Sequence, residues 1–387
     1  MKKLLHLIFF ILLAPQLKAQ DFTDSNLPIV IITTDNNQDI PDEPKILGNM
    51  KIIYNGPGVR NYISDQNTAL ALNYNGRIGI EARGSTSQFL DKKPYSLTTL
   101  QPDNVTNNNV SLLGMPKEND WILNALAYDA SMIRDYISYN LSRMIGEYAP
   151  RTQYCEVVVN GEYRGLYILM EKIKADGNRV DISKIKPTDN TLPDLTGGYI
   201  TKADKVVGTD VLAWTMSSYI DVNDINFIHE FPKPTDVTAP QNNYIKSVFE
   251  KLAETANNTS ILNGYPSVID IPSFVDFMLI NELAANVDAY KFSTYFHKDK
   301  NAKLRAGPIW DFNLTYGNDL FFWGLDRSKT YLWQFDNGDN TGPKFWKDLF
   351  DNSQFKCYLA KRWKELTSTG QPLNLANLNT YIDETVT

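Results

Sequence analysis

The sequence is poor in the residues that thiol and zinc chemistry require. Its 387 residues include two cysteines and three histidines, and only His229 and His297 lie beyond the first 20 positions. Two histidines without ligand spacing argue against a zinc site. Cys155 and Cys357 fall in segments that we expect in different parts of the fold, so two free, buried thiols are favoured and a disulfide stays open. No Ser/His/Asp or Cys/His arrangement indicates a hydrolase.

An excess of basic residues is also missing. The formal net charge is −7. Because binding to nucleic-acid phosphates needs a basic face, we expect no nucleic-acid partner. The 43% of hydrophobic residues is typical of a globular protein with a sizeable core.

The chain has no apolar run long enough to cross a bilayer, which takes about 20 residues. Residues 4–13 are apolar, follow Lys2 and Lys3, and precede a small-residue site that ends at Ala19. This pattern is typical of a secretory signal peptide over residues 1–19, and a folded N-terminal helix is the alternative. Gln20 in place of a cysteine argues against a lipoprotein anchor. We therefore expect export, to the periplasm, the cell surface or the medium, with no transmembrane segment.

The rest of the chain divides into a β-rich half and a more helical half. Apolar, β-branched runs predict strands over residues 26–34, 51–54, 78–82, 95–98, 156–159, 163–170, 293–297 and 304–306. Helical spacing predicts helices over residues 130–145, 243–256, 273–285 and 345–366. Asp129 is expected to cap the first helix, and Asn160-Gly161 suits a type I′ turn. We predict an α+β fold with a β-rich N-terminal lobe over residues 20–174, a mostly helical C-terminal lobe over 175–387, and a cleft between them.

The C-terminal residues keep a helical apolar stripe without a stop signal. The stripe comprises Leu375, Leu378, Tyr381, Ile382 and Val386. We expect the sequence to end inside a helix of a longer protein.

Two aspartates are candidates for phosphoryl-transfer chemistry. Asp288 follows a predicted helix, and Asp311 follows the predicted hairpin that comes after it. In protein kinases, one aspartate orients the attacking hydroxyl and a second holds magnesium on the nucleotide phosphates. Ser293 stands at the position where protein kinases have a metal-binding asparagine. Asp311 is followed by Phe312-Asn313, where kinases have Phe-Gly. Spacing alone leaves open the reading that both aspartates only form turns or caps.

Several ordered motifs make the same case more specific. They are Gly-Ile-Glu-Ala-Arg-Gly-Ser-Thr-Ser-Gln at 79–88, Asp-Trp-Ile-Leu-Asn at 120–124, Tyr-Ala-Pro-Arg at 148–151, Asn-Gly-Glu-Tyr-Arg-Gly-Leu-Tyr at 160–167, Gly-Gly-Tyr-Ile at 197–200 and Gly-Pro-Ile-Trp-Asp-Phe-Asn at 307–313. In this order they resemble the CotH kinase family, named for spore-coat protein H, over roughly residues 28–366. The resemblance implies a divergent bilobal kinase-like fold, binding of ATP with Mg²⁺ or Mn²⁺, and phosphorylation of Ser or Thr on secreted or surface proteins.

The resemblance also assigns roles to single residues. Asp311 matches the family's metal-binding aspartate, Asp288 matches the catalytic aspartate, and Ser293 stands where a second metal ligand is expected. Lys93 resembles the lysine that pairs with phosphate, with Lys92 as the alternative. Glu171 resembles part of the hinge at which adenine docks.

The turn at residues 83–87 is the best candidate for a phosphate-facing loop. Its small residues allow the backbone to approach a phosphate, and its N–H and hydroxyl groups are donors. The cofactor-binding candidates here are Arg83, Gly84, Ser85 and Ser87. A solvated Lys pair beside an ordinary turn is the alternative for the lysines that follow.

Other functions stay open at this stage. Ser293 and Asn313 replace expected residues, which favours a non-catalytic surface or adhesion module with the same fold as the main alternative. A kinase-like enzyme acting on a glycan is a third. Arg134 is equally suited to a structural and a functional role, and the sequence leaves the oligomeric state undetermined.

Overall fold

The computed structural model describes residues 22–387 except 220–223, 321–325, 328 and 339–340. The strands of the described part are β1 Asp24–Ser25, β2 Ile29–Thr34, β3 Ile46–Ile53, β4 Asn61–Tyr62, β5 Leu72–Ala82, β6 Tyr95–Leu100, β7 Asp120–Asn124, β8 Thr152–Val159, β9 Glu162–Glu171, β10 Tyr199–Ala203, β11 Leu212–Ser217, β12 Asp224–Phe231, β13 Thr294–Lys298 and β14 Arg305–Ala306. Its α-helices are α1 Arg134–Met144, α2 Ala239–Thr255, α3 Tyr265–Val268, α4 Ile271–Leu283, α5 Lys344–Asp351, α6 Ser353–Thr367 and α7 Leu375–Val386. The fold is therefore α+β, as predicted. The predicted signal peptide lies outside the described residues.

Seven strands of the first half close into a barrel in the order β2-β3-β5-β6-β7-β9-β8. All neighbours are antiparallel except β2 and β8, which pair in parallel from Ile29 opposite Glu156 to Ile32 opposite Val159. The sequence predicted most of these strands but not their closure, because the closing partner of β2 lies far along the chain.

Strand β2 shows why its sequence is apolar without alternation. Val30 and Ile32 point into the barrel core, while Ile29 and Ile31 pack in a second apolar cluster outside it. A strand covered on both faces has a continuous hydrophobic run rather than an alternating one. The Asn160-Gly161 turn that joins β8 to β9 has positive φ at both positions, 50° and 83°, as a type I′ turn requires.

The second half contains a sheet that the sequence did not predict in full. Five antiparallel strands follow the order β11-β12-β10-β13-β14, and only β13 and β14 were anticipated. Helices α2, α4 and α5 pack on this sheet through an aromatic core in which Phe227, Phe249, Phe296 and Trp346 are fully buried. Residues 175–387 are therefore richer in strand than expected.

The same core extends to the barrel. It includes Ile122 and Ile168 from β7 and β9 together with Ile137 and Leu141 from α1. Burial of one continuous apolar surface joins the two halves, so elements of the barrel can position residues of the second half.

Helix boundaries differ from the predictions by about a turn. Helix α2 begins at Ala239, where Thr238 and Gln241 form a capping box, and α4 begins after the cap Asp270. Helix α1 begins only at Arg134. Asp129 does not cap it, because the Asp129 carboxylate accepts hydrogen bonds from Ser131 and from Arg134 N in a turn that precedes the helix.

The structure shows the surroundings of the two cysteines and of His229 and His297. Both cysteines are free, Cys155 inside the barrel and Cys357 on an exposed surface of α6, so the prediction that both are buried was wrong for Cys357. His229 Nε2 bonds with Asn242, and His297 Nδ1 donates to the carbonyl of Gly307 at 3.0 Å. Among the described residues, no helix has the length and apolar character needed to cross a membrane.

Candidate active site

Helix α1 holds the backbone on both sides of Asp311. Asp311 N donates to Tyr139 Oη at 3.1 Å, and Phe312 N donates to Asp135 Oδ1 at 2.7 Å. Asp135 and Tyr139 are one helical turn apart, so they lie on the same face of α1. Two consecutive peptide N–H groups of the Trp310–Asp311–Phe312 segment are thus fixed by one helix.

More hydrogen bonds tie the rest of this segment to the residues around the start of α1. Arg134 Nε donates to the carbonyl of Thr315 at 2.8 Å, and its guanidinium pairs with the buried Asp129. Asn318 Nδ2 donates to the carbonyls of Tyr128 and Asn313, each at 2.8 Å. Arg134 therefore makes structural contacts, and a functional role for it stays a hypothesis.

Asp311 has an unusual backbone conformation. Its φ is 60°, in the left-handed region, which costs a residue with a side chain about 1–2 kcal/mol. The residue as a whole is exposed, and its carboxylate accepts a hydrogen bond from Asn313 Nδ2 at 2.8 Å. The surrounding protein and the charge of Asp204 raise the pKa of Asp311, while the cations Arg83 and Lys205 lower it. Asp311 is therefore accessible to solvent, although the protein around it disfavours the charged form of its carboxyl group.

Asp288 lies in a turn after α4. Its backbone N–H donates to Asn286 Oδ1 at 3.2 Å, and its carbonyl accepts from Phe292 N at 3.0 Å. Burial, and after it the negative charge of Asp311, raise the pKa of Asp288 to about 6, whereas the charge of Arg327 lowers it. The structure therefore brings Asp288 and Asp311 close enough for their charges to interact.

Two site residues, Asp204 and Lys205, were missed by the sequence analysis. They follow β10, whose Ala203 pairs with Thr294 of β13, so that Asp204 lies beside Ser293 and accepts a hydrogen bond from the Ser293 backbone. The charges of both residues act on Asp288. The available signal was an Asp-Lys pair at the end of an apolar segment, and it was missed because β10 was not recognised as a strand.

Arg83 joins the site from the barrel. The loop that connects β5 to β6 is closed by a hydrogen bond from Arg83 N to the carbonyl of Pro94 at 3.0 Å. The Arg83 guanidinium lies over the Trp310 ring, 5.8 Å from its centroid, and its charge lowers the pKa of Asp311. Gly84, with φ 106°, follows in the same loop.

Ser85 and Ser87 complete the part of the loop that we predicted to face phosphate. Ser87 begins a short 3₁₀ turn that ends at Phe89, and Phe89 is strongly exposed. The loop therefore projects from the barrel next to Arg83. The contribution of the two hydroxyl groups to phosphate binding stays a prediction.

The two candidate lysines in this loop are both held against β9. Lys92 Nζ donates to the carbonyl of Leu166 at 2.6 Å and lies 5.0 Å from the centroid of the Tyr167 ring. The carbonyl of Lys93 accepts a hydrogen bond from Tyr167 Oη at 2.9 Å. Lys172 is a third candidate: burial lowers its pKa, and the charge of Arg83 acts on it. The role predicted for Lys93 stays a prediction.

Glu171 belongs to a buried ion-pair network. Its carboxylate is fully buried, accepts from Arg151 N at 2.9 Å, and pairs with the guanidinium groups of Arg151 and Arg179 at 3.0 and 3.2 Å. Tyr148 Oη donates to it at 3.3 Å. A carboxylate engaged in this way inside the protein does not fit direct contact with a nucleotide.

The acidic residues fit a metal ion that is shared with a nucleotide. In the part of the chain that the structure describes, no group of three or more His, Cys, Asp or Glu side chains is arranged to hold a metal. Magnesium is commonly bound by one or two carboxylates together with substrate phosphates. Asp311 would supply such a hard oxygen ligand, and Asp288 is a second carboxylate whose pKa the charge of Asp311 affects. Ser293 lies beside Asp204, and its role as a further ligand stays a prediction.

Comparison with known proteins identifies a matching family. A family model described as CotH kinase protein matches residues 80–387. No curated protein matches the chain. The matched range begins within β5 and includes the loop that carries Arg83, helix α1, Asp288 and Asp311.

Proposed function

The chain belongs to the CotH kinase family, and we propose that it transfers the γ-phosphoryl group of ATP to Ser or Thr hydroxyls of secreted or surface proteins. The observation that carries this proposal is that the charge of Asp311 raises the pKa of Asp288, although the two residues come from different segments. Phosphoryl transfer needs one carboxylate for the hydroxyl and one for the metal, within the same site.

The two aspartates have different settings, which suggests different roles. Asp311 is exposed and would hold Mg²⁺, or Mn²⁺, against the nucleotide phosphates, where the metal neutralises developing charge. Asp288 is more enclosed, and its pKa of about 6 leaves it ionised at neutral pH and able to accept a hydroxyl proton. We therefore assign the metal to Asp311 and the substrate hydroxyl to Asp288.

Cations from both halves of the fold would receive the phosphates. Arg83 comes from the β5–β6 loop, and Lys205 follows β10 in the second half; both charges act on Asp311. Guanidinium and ammonium groups at such positions pair with phosphate oxygens. In this reading Lys172 is an alternative to Lys93 for the phosphate-pairing lysine, because its side chain lies near Arg83.

The same reading gives the fold a bilobal kinase-like organisation. The barrel with α1 forms the first lobe, and the five-stranded sheet with its helices forms the second. The β5–β6 loop would cover the phosphates, and the chain that follows β9 would form the hinge for adenine. Export, through the predicted signal peptide, would bring the enzyme to secreted substrates.

One observation favours the non-catalytic alternative. Asn313 stands where kinases have glycine, and its side-chain Nδ2 donates a hydrogen bond to Asp311 Oδ1 at 2.8 Å. This bond engages an oxygen that would otherwise be available to a metal. With Ser293 in place of asparagine, the second metal ligand is also changed. An adhesion module that has lost nucleotide binding would retain the fold without the reaction.

A transfer assay with matched variants tests the proposal. The protein from Gln20 onward is incubated with labelled ATP, Mg²⁺ or Mn²⁺, and secreted proteins of its own cell. We expect Asp311→Ala to abolish both labelling and metal-dependent nucleotide binding, and Asp288→Asn to lower turnover while nucleotide binding remains. Asp348→Asn, a surface aspartate on α5 paired with Lys344, should behave as wild type.

The outcomes separate the hypotheses. Labelling that survives Asp311→Ala would contradict the assignment of Asp311. Absence of nucleotide binding in the wild-type protein would favour the adhesion module.

A further inference from the structure

Asp135 is a buried carboxylate that the proposed reaction does not use. It lies on α1 with 1% of its surface exposed, next to the candidate metal-binding segment. We propose that Asp135, together with Tyr139, is a positioning residue that sets the backbone of Asp311 and thereby aims its carboxylate at the metal–nucleotide complex. This inference rests on the proposed function, since it takes Asp311 to hold the metal.

The backbone geometry shows what needs positioning. Asp311 has φ 60°, a left-handed conformation that residues with a Cβ atom adopt infrequently and that hydrogen bonds on both sides can hold. The N–H of Asp311 and that of Phe312 flank its Cα, and both donate to α1, at 3.1 and 2.7 Å. Restraining these two groups fixes φ and ψ of Asp311, and with them the direction of its side chain.

The choice of a carboxylate at position 135 follows from the donors around it. Three donors converge on Asp135: Phe312 N at 2.7 Å, Asn124 Nδ2 at 3.0 Å, and the hydroxyl of Tyr139. The two oxygens of a carboxyl group offer enough acceptor positions for all three donors. Asn124 ends β7, and therefore Asp135 joins the barrel, α1 and the Asp311 segment.

The proximity of Asp311 makes an acid at position 135 unfavourable for stability. The carboxylate is buried, and the charge of Asp311 acts against its ionisation. Buried charges without a cation partner lower stability, and such features concentrate at functional sites. A device that positions Asp311 accounts for the placement of a second acid so close to the first.

The decisive readout is metal affinity, measured apart from turnover. Mn²⁺ binding to the protein from Gln20 onward is followed by electron paramagnetic resonance with a non-hydrolysable ATP analogue, and folding by urea titration. We expect Asp135→Ala to raise the Kd for Mn²⁺ by about tenfold, since partners that orient metal ligands typically contribute 10–100-fold. Asp135→Asn keeps one acceptor for Phe312 N and should stay within about threefold of wild type.

Asp276→Ala is the matched control. Asp276 is a buried aspartate on α4 that pairs with Arg362, 2.8 Å away. Its loss should lower the free energy of unfolding without changing the Kd for Mn²⁺. If Asp276→Ala changes this Kd as much as Asp135→Ala does, or if Asp135→Ala binds Mn²⁺ like wild type, the inference is overturned.

A second variant keeps the inference testable if Asp135→Ala fails to fold. Tyr139→Phe removes only the hydroxyl that receives Asp311 N, and we expect it also to raise the Kd for Mn²⁺ by about tenfold. Wild-type affinity in Tyr139→Phe would then overturn the inference. Wild-type protein that binds no Mn²⁺ with nucleotide would instead refute the proposed function itself.

Discussion

Acidic side chains have opposite electrostatic surroundings in two regions of the molecule. Beside the barrel, Glu118 and Glu171 form an ion-pair network with Arg151, Lys174 and Arg179. Each acid there has a cation within 3.2 Å. In this network every acid is paired with a cation, and the pairs hold the end of β9 to the chain that follows it.

At the candidate site the acids instead oppose one another. The charge of Asp311 contributes to the raised pKa of both Asp135 and Asp288, after burial as the main cause. Paired acids stabilise a fold, whereas acids that raise one another's pKa are more often kept for chemistry. The comparison therefore distinguishes a structural network from a functional one on physical grounds.

The largest expected effect is on stability and separates the two regions directly. Glu171→Gln should lower the free energy of unfolding by about 3 kcal/mol, because it removes the one fully buried carboxylate that pairs with the buried guanidinium of Arg179. Asp311→Asn should leave it unchanged or slightly raised, because it removes a charge that other acids oppose. Urea titration measures both.

Glu250→Gln serves as the control for this comparison. Glu250 forms an exposed pair with Lys246 one turn away on α2, and its loss should change the free energy of unfolding by no more than about 0.5 kcal/mol. Equal destabilisation by Glu171→Gln and Asp311→Asn would remove the distinction between the regions.

A smaller effect concerns the pH dependence of stability. Because the pKa of Asp288 is raised in the folded state, to about 6, the native protein holds this proton more tightly than the unfolded chain does. Asp288 therefore favours folding fully at pH below 4, and this contribution is lost as the pH rises from 4 to 6. We expect Asp288→Asn to gain about 1–2 kcal/mol of stability relative to wild type between pH 4 and pH 7, a value reduced for partial solvent access.

The measurement is a set of urea titrations of both proteins across that range. A difference between wild type and Asp288→Asn that is constant with pH would show that Asp288 is an ordinary, well-hydrated carboxylate. Asp288 would then resemble Glu118 and Glu171, which are paired with cations, rather than an acid of the candidate site.

The smallest effect tests which lysine faces the nucleotide. We expect Lys172→Met to raise the KM for ATP by about fivefold, a loss of about 1 kcal/mol for one charged contact, and Lys92→Met to change it by less than twofold. Both lysines are partly buried, so each is a control for the other. A larger effect of Lys92→Met than of Lys172→Met would indicate that the loop before β6 faces the phosphates. Lys93→Met tests the role that was predicted for Lys93 from the sequence.

Local patterns were enough to predict much of the fold. Apolar runs located most barrel strands, and Asn160-Gly161 identified the hairpin turn. Closure of the barrel escaped because it depends on the parallel pairing of β2 with β8, which no local pattern encodes. Strand β10 was not predicted, because its sequence is short and its strand character depends on pairing with β12 and β13.

The candidate site was predicted in part for the same reason. Asp288 and Asp311 stood out because motifs surround them. Asp204 depended on a sheet that was not predicted, and the burial of Glu171 depends on arginines from elsewhere in the chain. Asp135 gave no comparable signal, because its burial depends on the Asp311 segment, which comes from elsewhere in the chain.

The parallel pairing that closes the barrel has a practical consequence for expression of this protein. The family match begins at residue 80, after β2 and β3 and inside β5. A fragment cut at that boundary would lack β2, β3 and most of β5, and would present the unpaired hydrogen-bonding edges of β6 and β8 to other chains. Exposed edges of this kind promote intermolecular pairing and insoluble aggregates. Recombinant work should therefore start no later than residue 22, so that the barrel can form.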